Sequence, residues 1–281
     1  MNIQRIAAFS DGLAGGNPAG VVLCDALPDT SAMQATAAAV GYSETAFAAR
    51  TGDGWSVRYF APAMEVPFCG HATIALGAAL AMRHGDGTFR LHLNAAEITV
   101  EGWHEGALMA AALQSPPTRS TAAPPDLVAA TLDLFGLSAA DLDPRLPPAL
   151  MNAGASHLVL VLHDRERLRA MRYALQAGRT LMQGTELVTI MLAVAQAPDR
   201  FDARHAFAAG GVLEDPATGA GAAAFAGYLR DIGWPHGGAI GITQGEDMGV
   251  PCRLHAAIPA EAGSSIRVSG TARLLRGSAG A

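Results

Sequence analysis

The segments ATIALGAALAM (Ala72–Met82) and GAGAAAFAGYL (Gly219–Leu229) are helix-length and carry apolar or small residues almost all the way round. A helix without a polar face has to be buried on every side. In a chain otherwise rich in strand-like runs, that calls for a sheet curved around each helix, once per half. Each segment follows a polar turn, Cys69-Gly70-His71 in the first half and Glu214-Asp215-Pro216 in the second. An ungapped overlay sets Arg58 on Arg204, Val66 on Val212 and Cys69 on Asp215. This faint repeat, together with the matched helices, predicts a duplicated two-domain chain.

The remaining pattern is short strands. NIQRIAAFSD and GVVLCD flank the turn Gly15-Gly16-Asn17-Pro18, and ETAFAAR and WSVRYFA read as a hairpin through Thr51-Gly52-Asp53-Gly54. TFRLHLNAAEITVEGW supplies two more strands, and SHLVLVLHD, GTELVTIMLAVAQA, AIGITQ, RLHAAI and SIRVSG supply those of the second half. SAMQATAAAV is a short helix with Ser31 as its N-cap and Gly41 past its end, and PDLVAATLDLFGL is an amphipathic one. QSPPTRSTAAPP (Gln114–Pro125), rich in Pro, Ser and Thr, reads as the linker between domains 1–118 and 119–267.

Composition narrows the function classes. A formal charge of −6 argues against nucleic acid or an anionic membrane as partner, while a small anionic metabolite needs only a few local donors. Three scattered cysteines form no disulfide framework, and the N-terminus lacks the long apolar core of a signal peptide. No apolar run approaches the length of a membrane span, so a cytoplasmic location is expected. There is no G-x-G-x-x-G after a strand, no Walker loop, no G-x-S-x-G and no H-E-x-x-H.

The polar turns can carry chemistry. A helix start presents unpaired N–H groups and a positive dipole end, which together hold a carboxylate. Cys69 and His71 are too close and too isolated for a zinc clip, so no metal is expected. As a nucleophile and base they would diverge and lack a third group; acid/base or substrate-positioning work suits them better, beside a purely structural role. Asp215, before a proline, would serve equally as an N-cap. Glu44 sits among Tyr, Ala and Phe in GYSETAF, where burial would tune it as a general acid/base, unless it faces outward from an edge strand.

GNPAGVVL (Gly16–Leu23), SETAF (Ser43–Phe47), RYFAPAMEVPFCGHAT (Arg58–Thr73) and GVLEDPATG (Gly211–Gly219), in that order, resemble the PhzF-like, phenazine-biosynthesis family. The weaker match NAGASHLVLVL extends the resemblance over nearly the whole chain. It implies the diaminopimelate epimerase-like fold: two pseudo-symmetric domains, each a curved, mostly antiparallel sheet around a central helix, with the active site in the cleft between them. It further implies that a C-terminal strand, 268–281, returns to the first domain, that the protein is a homodimer, and that catalysis needs no cofactor. The implied reaction is the isomerisation of trans-2,3-dihydro-3-hydroxyanthranilate, in which a glutamate moves a proton between ring carbons. Glu44 matches that glutamate, and His71 and Asp215 match residues that position substrate and assist proton transfer. Gly70 and Gly219 match backbone lining the site, and Asn17 lies where related epimerases contact the substrate carboxylate. Ser43, Cys69, Thr218 and Ala220 complete the expected substrate-binding set, Ala220 standing where members often carry a serine. The resemblance also supports an alternative. Epimerases and racemases of this fold start both helices with cysteine, so Cys69 and Asp215 would act as the opposed pair of an amino-acid epimerase. A third possibility is a ligand-binding protein without catalysis on the same scaffold.

Overall fold

The computed structural model describes residues 2–94 and 96–275, and the chain divides into two compact units. One runs to Gln114 and takes back the chain from Ser269; the other is Ser115–Val268. Residues 276–281 of the expected returning strand lie outside the described residues.

The first unit begins with β1 (Gln4–Ala8), β2 (Asn17–Cys24), α1 (Thr30–Val40), β3 (Thr45–Thr51), β4 (Gly54–Phe60) and β5 (Glu65–Val66). It continues with α2 (Gly70–His84), β6 (Gly87–His92), β7 (Glu97–Glu105) and β8 (Leu108–Pro117). The second unit contains β9 (Arg119–Ala122), α3 (Pro125–Phe135), β10 (Ala149–Asn152), β11 (Ser156–Leu162), α4 (Arg165–Arg169) and α5 (Leu175–Gln183). After these come β12 (Leu187–Ala197), β13 (Arg200–Ala206), β14 (Glu214–Asp215), α6 (Gly219–Asp231), β15 (Ala239–Gln244), β16 (Cys252–Ala257) and β17 (Ser265–Leu274). Among the described residues, no helix is long and apolar enough to cross a membrane.

Both apolar helices are central. Every residue of α2 from His71 to Ala81 is buried, and the helix touches β1, β2, β3, β6 and β7, so the sheet curves around it. The close approach needs glycine: a Cβ at Gly102 of β7 would lie 2.3 Å from the carbonyl oxygen of Gly77 on α2. In the second unit α6 touches β9, β10, β11, β15 and β16, and a Cβ at Gly221 would lie 2.4 Å from Cε1 of His205. The outer faces are also covered. Met33 and Ala37 of α1 pack on Val22, Phe47 and Phe60, while residues of α3, α4 and α5 pack on Leu158, Leu160, Leu162, Ile190 and Leu192.

The strand ladders repeat. From β1 through β2, β3, β4 and β6 to β7, the pairs alternate antiparallel, parallel, antiparallel, parallel, antiparallel. The same alternation runs from β10 through β11, β12, β13 and β15 to β16. Arg58 on β4 clasps Glu65 through Nε–Oε1 (2.8 Å) and Nη2–Oε2 (2.5 Å). Arg204 on β13 clasps Glu214 in the same way, at 2.9 and 2.5 Å. Glu65 therefore corresponds to Glu214, and EVPFCG lies over EDPATG. This corrects the ungapped overlay, because the loop from Arg204 to Glu214 is three residues longer than that from Arg58 to Glu65. Cys69 matches Thr218, the N-cap of α6, while Asp215 matches Val66.

Two local expectations also change. Asp29, not Ser31, caps α1: its Oδ1 accepts the Ala32 N–H at 2.8 Å, and Ser31, already inside the first turn, donates to the same carboxylate. The expected linker Gln114–Pro125 is structured as the end of β8, all of β9 and the start of α3. Its polar residues are held by hydrogen bonds: Ser115 Oγ accepts the Ile266 N–H at 3.0 Å and Thr118 Oγ1 donates to the Ser264 carbonyl at 2.9 Å.

Candidate active site

In the first unit, the start of β3 and the start of α2 converge. Glu44 precedes β3 and its carbonyl accepts the Gly20 N–H of β2, which fixes the backbone. Cys69 is the N-cap of α2 and uses no side-chain bond to cap it; Thr73 Oγ1 donates instead to the Cys69 carbonyl at 2.7 Å. Tyr59, fully buried on β4, shares a 2.7 Å hydrogen bond with Thr73 and props the helix start from beneath, and burial drives its phenol well above the usual range.

His71 lies at the centre. Its Nδ1 is 3.3 Å from the Cys69 thiol, and its Nε2 is 3.4 Å from Glu44 Oε2 and 3.3 Å from Ser43 Oγ. His71 is buried, while the Glu44 side chain keeps 18% of its surface exposed. Contrary to expectation, Cys69 and His71 do not diverge, and a third group stands behind the imidazole. The donor atoms of Glu44, Cys69 and His71 lie within 4.8 Å of one another. The thiol lies nearer Nδ1 of the ring and the carboxylate nearer Nε2. These groups are also spaced as acid/base partners, with His71 hydrogen-bonded to Ser43 and Cys69 and beside the Glu44 carboxylate.

Asn17, 3% exposed, opens β2 opposite Ala8. The adjoining Phe9 has φ +58° and is the one non-glycine residue with positive φ among the described residues. Such strain is kept where the surroundings over-determine the backbone, often at functional sites. Gly70 starts α2, and a Cβ there would meet nothing within 4 Å, so there is space beside the helix start.

The second unit places Asp215, Thr218, Gly219 and Ala220 around the start of α6. Asp215 is not the N-cap. It takes the Thr218 hydroxyl on Oδ2 at 2.7 Å, with Thr218 as the cap residue. Gln244, buried at the end of β15, donates to the Asp215 carbonyl at 2.6 Å and to Thr218 Oγ1 at 3.1 Å, and accepts the Thr218 N–H at 3.2 Å.

Sequence reasoning missed this glutamine, and it missed a buried trio. His157 Nδ1 lies 2.7 Å from Thr189 Oγ1, which lies 3.0 Å from His205 Nδ1. All three are 1% exposed, and His157 Nε2 is without a hydrogen-bond partner. Burial lowers the His157 pKa to about 4, and burial together with His157 lowers that of His205 well below its ordinary value. Arg58 pairs with Phe47 and Arg204 with Leu192, so Thr189 corresponds to Glu44 in the repeat. A signal was available. Gln244 continues the buried alternation of Ile240 and Ile242, as His205 continues that of Phe201 and Ala203.

A model of the family described as phenazine biosynthesis-like protein matches residues 6–277. The chain belongs to this family. Curated relatives are named uncharacterized isomerases; one from Deinococcus radiodurans is 32% identical over 244 residues, covering 82% of this chain and 76% of the relative. The chain is an enzyme of the isomerase class. The crystal structure of a PhzF family protein from Bacillus anthracis matches with a TM-score of 0.83 at 21% identity, covering 98% of this chain and 96% of that one. A probable proline racemase from Agrobacterium radiobacter matches at 0.63 with 11% identity, covering 99% and 93%. Both likenesses concern the fold, which is diaminopimelate epimerase-like.

Proposed function

We propose that this phenazine biosynthesis-like protein is a cofactor-independent isomerase. It shifts a proton on a small carboxylate-bearing metabolite, in the manner of trans-2,3-dihydro-3-hydroxyanthranilate isomerase. Glu44 is the proton carrier. The supporting observation is a partly accessible carboxylate 3.4 Å from a buried imidazole, both beside the open start of α2. Glu44 takes a proton from a carbon next to an electron-withdrawing group and returns it elsewhere on the substrate. The amides at Gly70 and the Asn17 side chain hold the substrate carboxylate. Asp215, fixed by Thr218 and Gln244, orients substrate. The corrected repeat removes one support for the Cys69–Asp215 epimerase, since these two residues do not occupy equivalent places.

Incubation with dihydro-hydroxyanthranilate and related carbon acids in D2O tests the reading. The wild type should introduce solvent deuterium at carbon, and Glu44→Gln should slow this by roughly 10²- to 10⁴-fold, as loss of a general acid/base does. Bound carbon acids that never exchange would refute it. Asp215→Asn should weaken turnover while leaving detectable exchange.

A further inference from the structure

The structure assigns Cys69 a task distinct from touching the substrate: we propose that its thiol fixes the tautomer of His71, and through it the state of Glu44. A neutral imidazole carries one N–H and one lone pair. The partners of Nε2 are the Glu44 carboxylate at 3.4 Å and the Ser43 hydroxyl at 3.3 Å. A lone pair on Nε2 would face the carboxylate, which can only accept, whereas the Ser43 hydroxyl accepts as readily as it donates; the charged group decides, and the proton belongs on Nε2. Nδ1 then has to accept, and its partner is the Cys69 thiol at 3.3 Å. The thiol is therefore the donor, S–H to Nδ1, and the imidazole turns its N–H toward the Ser43 hydroxyl and the Glu44 carboxylate.

Two further features hold the donor in place. Thr73 binds the Cys69 carbonyl at 2.7 Å and is itself bound by Tyr59, so the N-cap backbone is fixed from beneath. The thiol is buried, which shields this weak donor from competing water. In the opposite tautomer the Glu44 carboxylate would face a lone pair in place of an N–H. Cys69 is thus a positioning residue that acts through His71. The corresponding place in the second unit holds Thr218, which donates its hydroxyl directly to the Asp215 carboxylate at 2.7 Å. Each helix start thus presents an S–H or O–H donor from its N-cap residue, reaching a carboxylate through an imidazole in one unit and directly in the other.

This assignment rests on Glu44 as proton carrier, but its test needs no substrate. Nitrogen-15 NMR of the His71 ring in the whole protein reports the tautomer. The wild type should show the Nε2–H form in roughly fivefold excess, the bias that one net hydrogen bond supplies. Cys69→Ala should abolish the excess and Cys69→Ser, which keeps a donor, should restore it. Should Cys69→Ala not fold, methylthiolation of the wild-type thiol removes the same proton and should have the same effect. In the isomerisation assay Cys69→Ala should lower kcat about tenfold at unchanged KM, a loss of the same order as one hydrogen bond. A wild-type ring protonated on Nδ1, or a tautomer indifferent to loss of the S–H, overturns the assignment. Absence of deuterium exchange in the wild type would instead overturn the reading of Glu44.

Discussion

Three buried polar residues in the second unit, His157, Thr189 and His205, show how single side chains set the response to acid. Both imidazoles are neutral in the folded protein, because burial disfavours the cation and His157 opposes a second charge on His205. The His157 pKa is lowered to about 4, from an unfolded value near 6.5. Between these limits the unfolded chain binds more protons than the folded one, so stability is fully present above about pH 6.5 and is lost as pH falls toward 4. A shift of this size corresponds to about 3 kcal/mol at most for His157. Urea unfolding at pH 7 and pH 5 should show the loss, and His157→Gln should flatten the dependence. An unchanged slope in that variant would remove the histidine from the account. At this scale the sequence was informative where a motif existed. Glu44, His71, Ser43 and Cys69 were all named, and the structure brings them together. Gln244, His157 and His205 were not: the alternation marks Gln244 and His205 as inward-facing, but what a buried polar residue does is unreadable until its partners on other strands are known.

Among the elements, the two helices without a polar face were legible because burial on all sides leaves no other packing. The segment expected as linker, at whose start the two units divide, is strand rather than loop for an equally physical reason. Composition counts Ser, Thr and Pro as loop formers, but Ser115 and Thr118 satisfy backbone groups of the Ile266 and Ser264 neighbourhood, a pairing far apart in sequence. The register of the repeat was missed by three residues because an ungapped overlay cannot absorb the longer hairpin before Glu214. Aligning the spaced pattern E-x-P-x-x-G, present as EVPFCG and EDPATG, would have found it. Helix packing supplies a test that separates structure from chemistry. A Cβ at Gly102 would meet the Gly77 backbone oxygen at 2.3 Å, which cannot swing aside, so Gly102→Ala should cost about 1–3 kcal/mol by urea unfolding. Gly70→Ala meets nothing within 4 Å and should leave stability almost unchanged. If Gly70 lies open to substrate as proposed, turnover should nevertheless fall. Equal stability losses in the two variants would contradict the packing derived for α2.

For the molecule as a whole, the chain enters and leaves its second unit within strands β8 and β17, and the last stretch completes the first unit. From Ser269 onward β17 lies antiparallel to β1, with Ile6 opposite Leu274 and Ala8 opposite Ala272. Ser10 and Thr271 exchange three hydrogen bonds of 2.8 to 3.0 Å, through backbone and hydroxyls, and Arg273 Nε binds the Gly15 carbonyl at 3.0 Å. These bonds hold the segment from the strained Phe9 to Asn17, so the far end of the chain fixes the turn expected to receive a substrate carboxylate. A chain stopped at Val268 would leave β1 as an open edge and free that segment, while every strand from β9 to β16 remains intact. Hydrogen exchange on such a truncation should show protection lost across β1, β2 and the start of α2, yet retained in β11, β12 and β13. Deuterium incorporation into substrate should vanish with it. Wild-type protection of β1 and β2 in the truncated chain would show that the first unit closes without its terminal strand, and the strap on Phe9 to Asn17 would then have no part in holding the site.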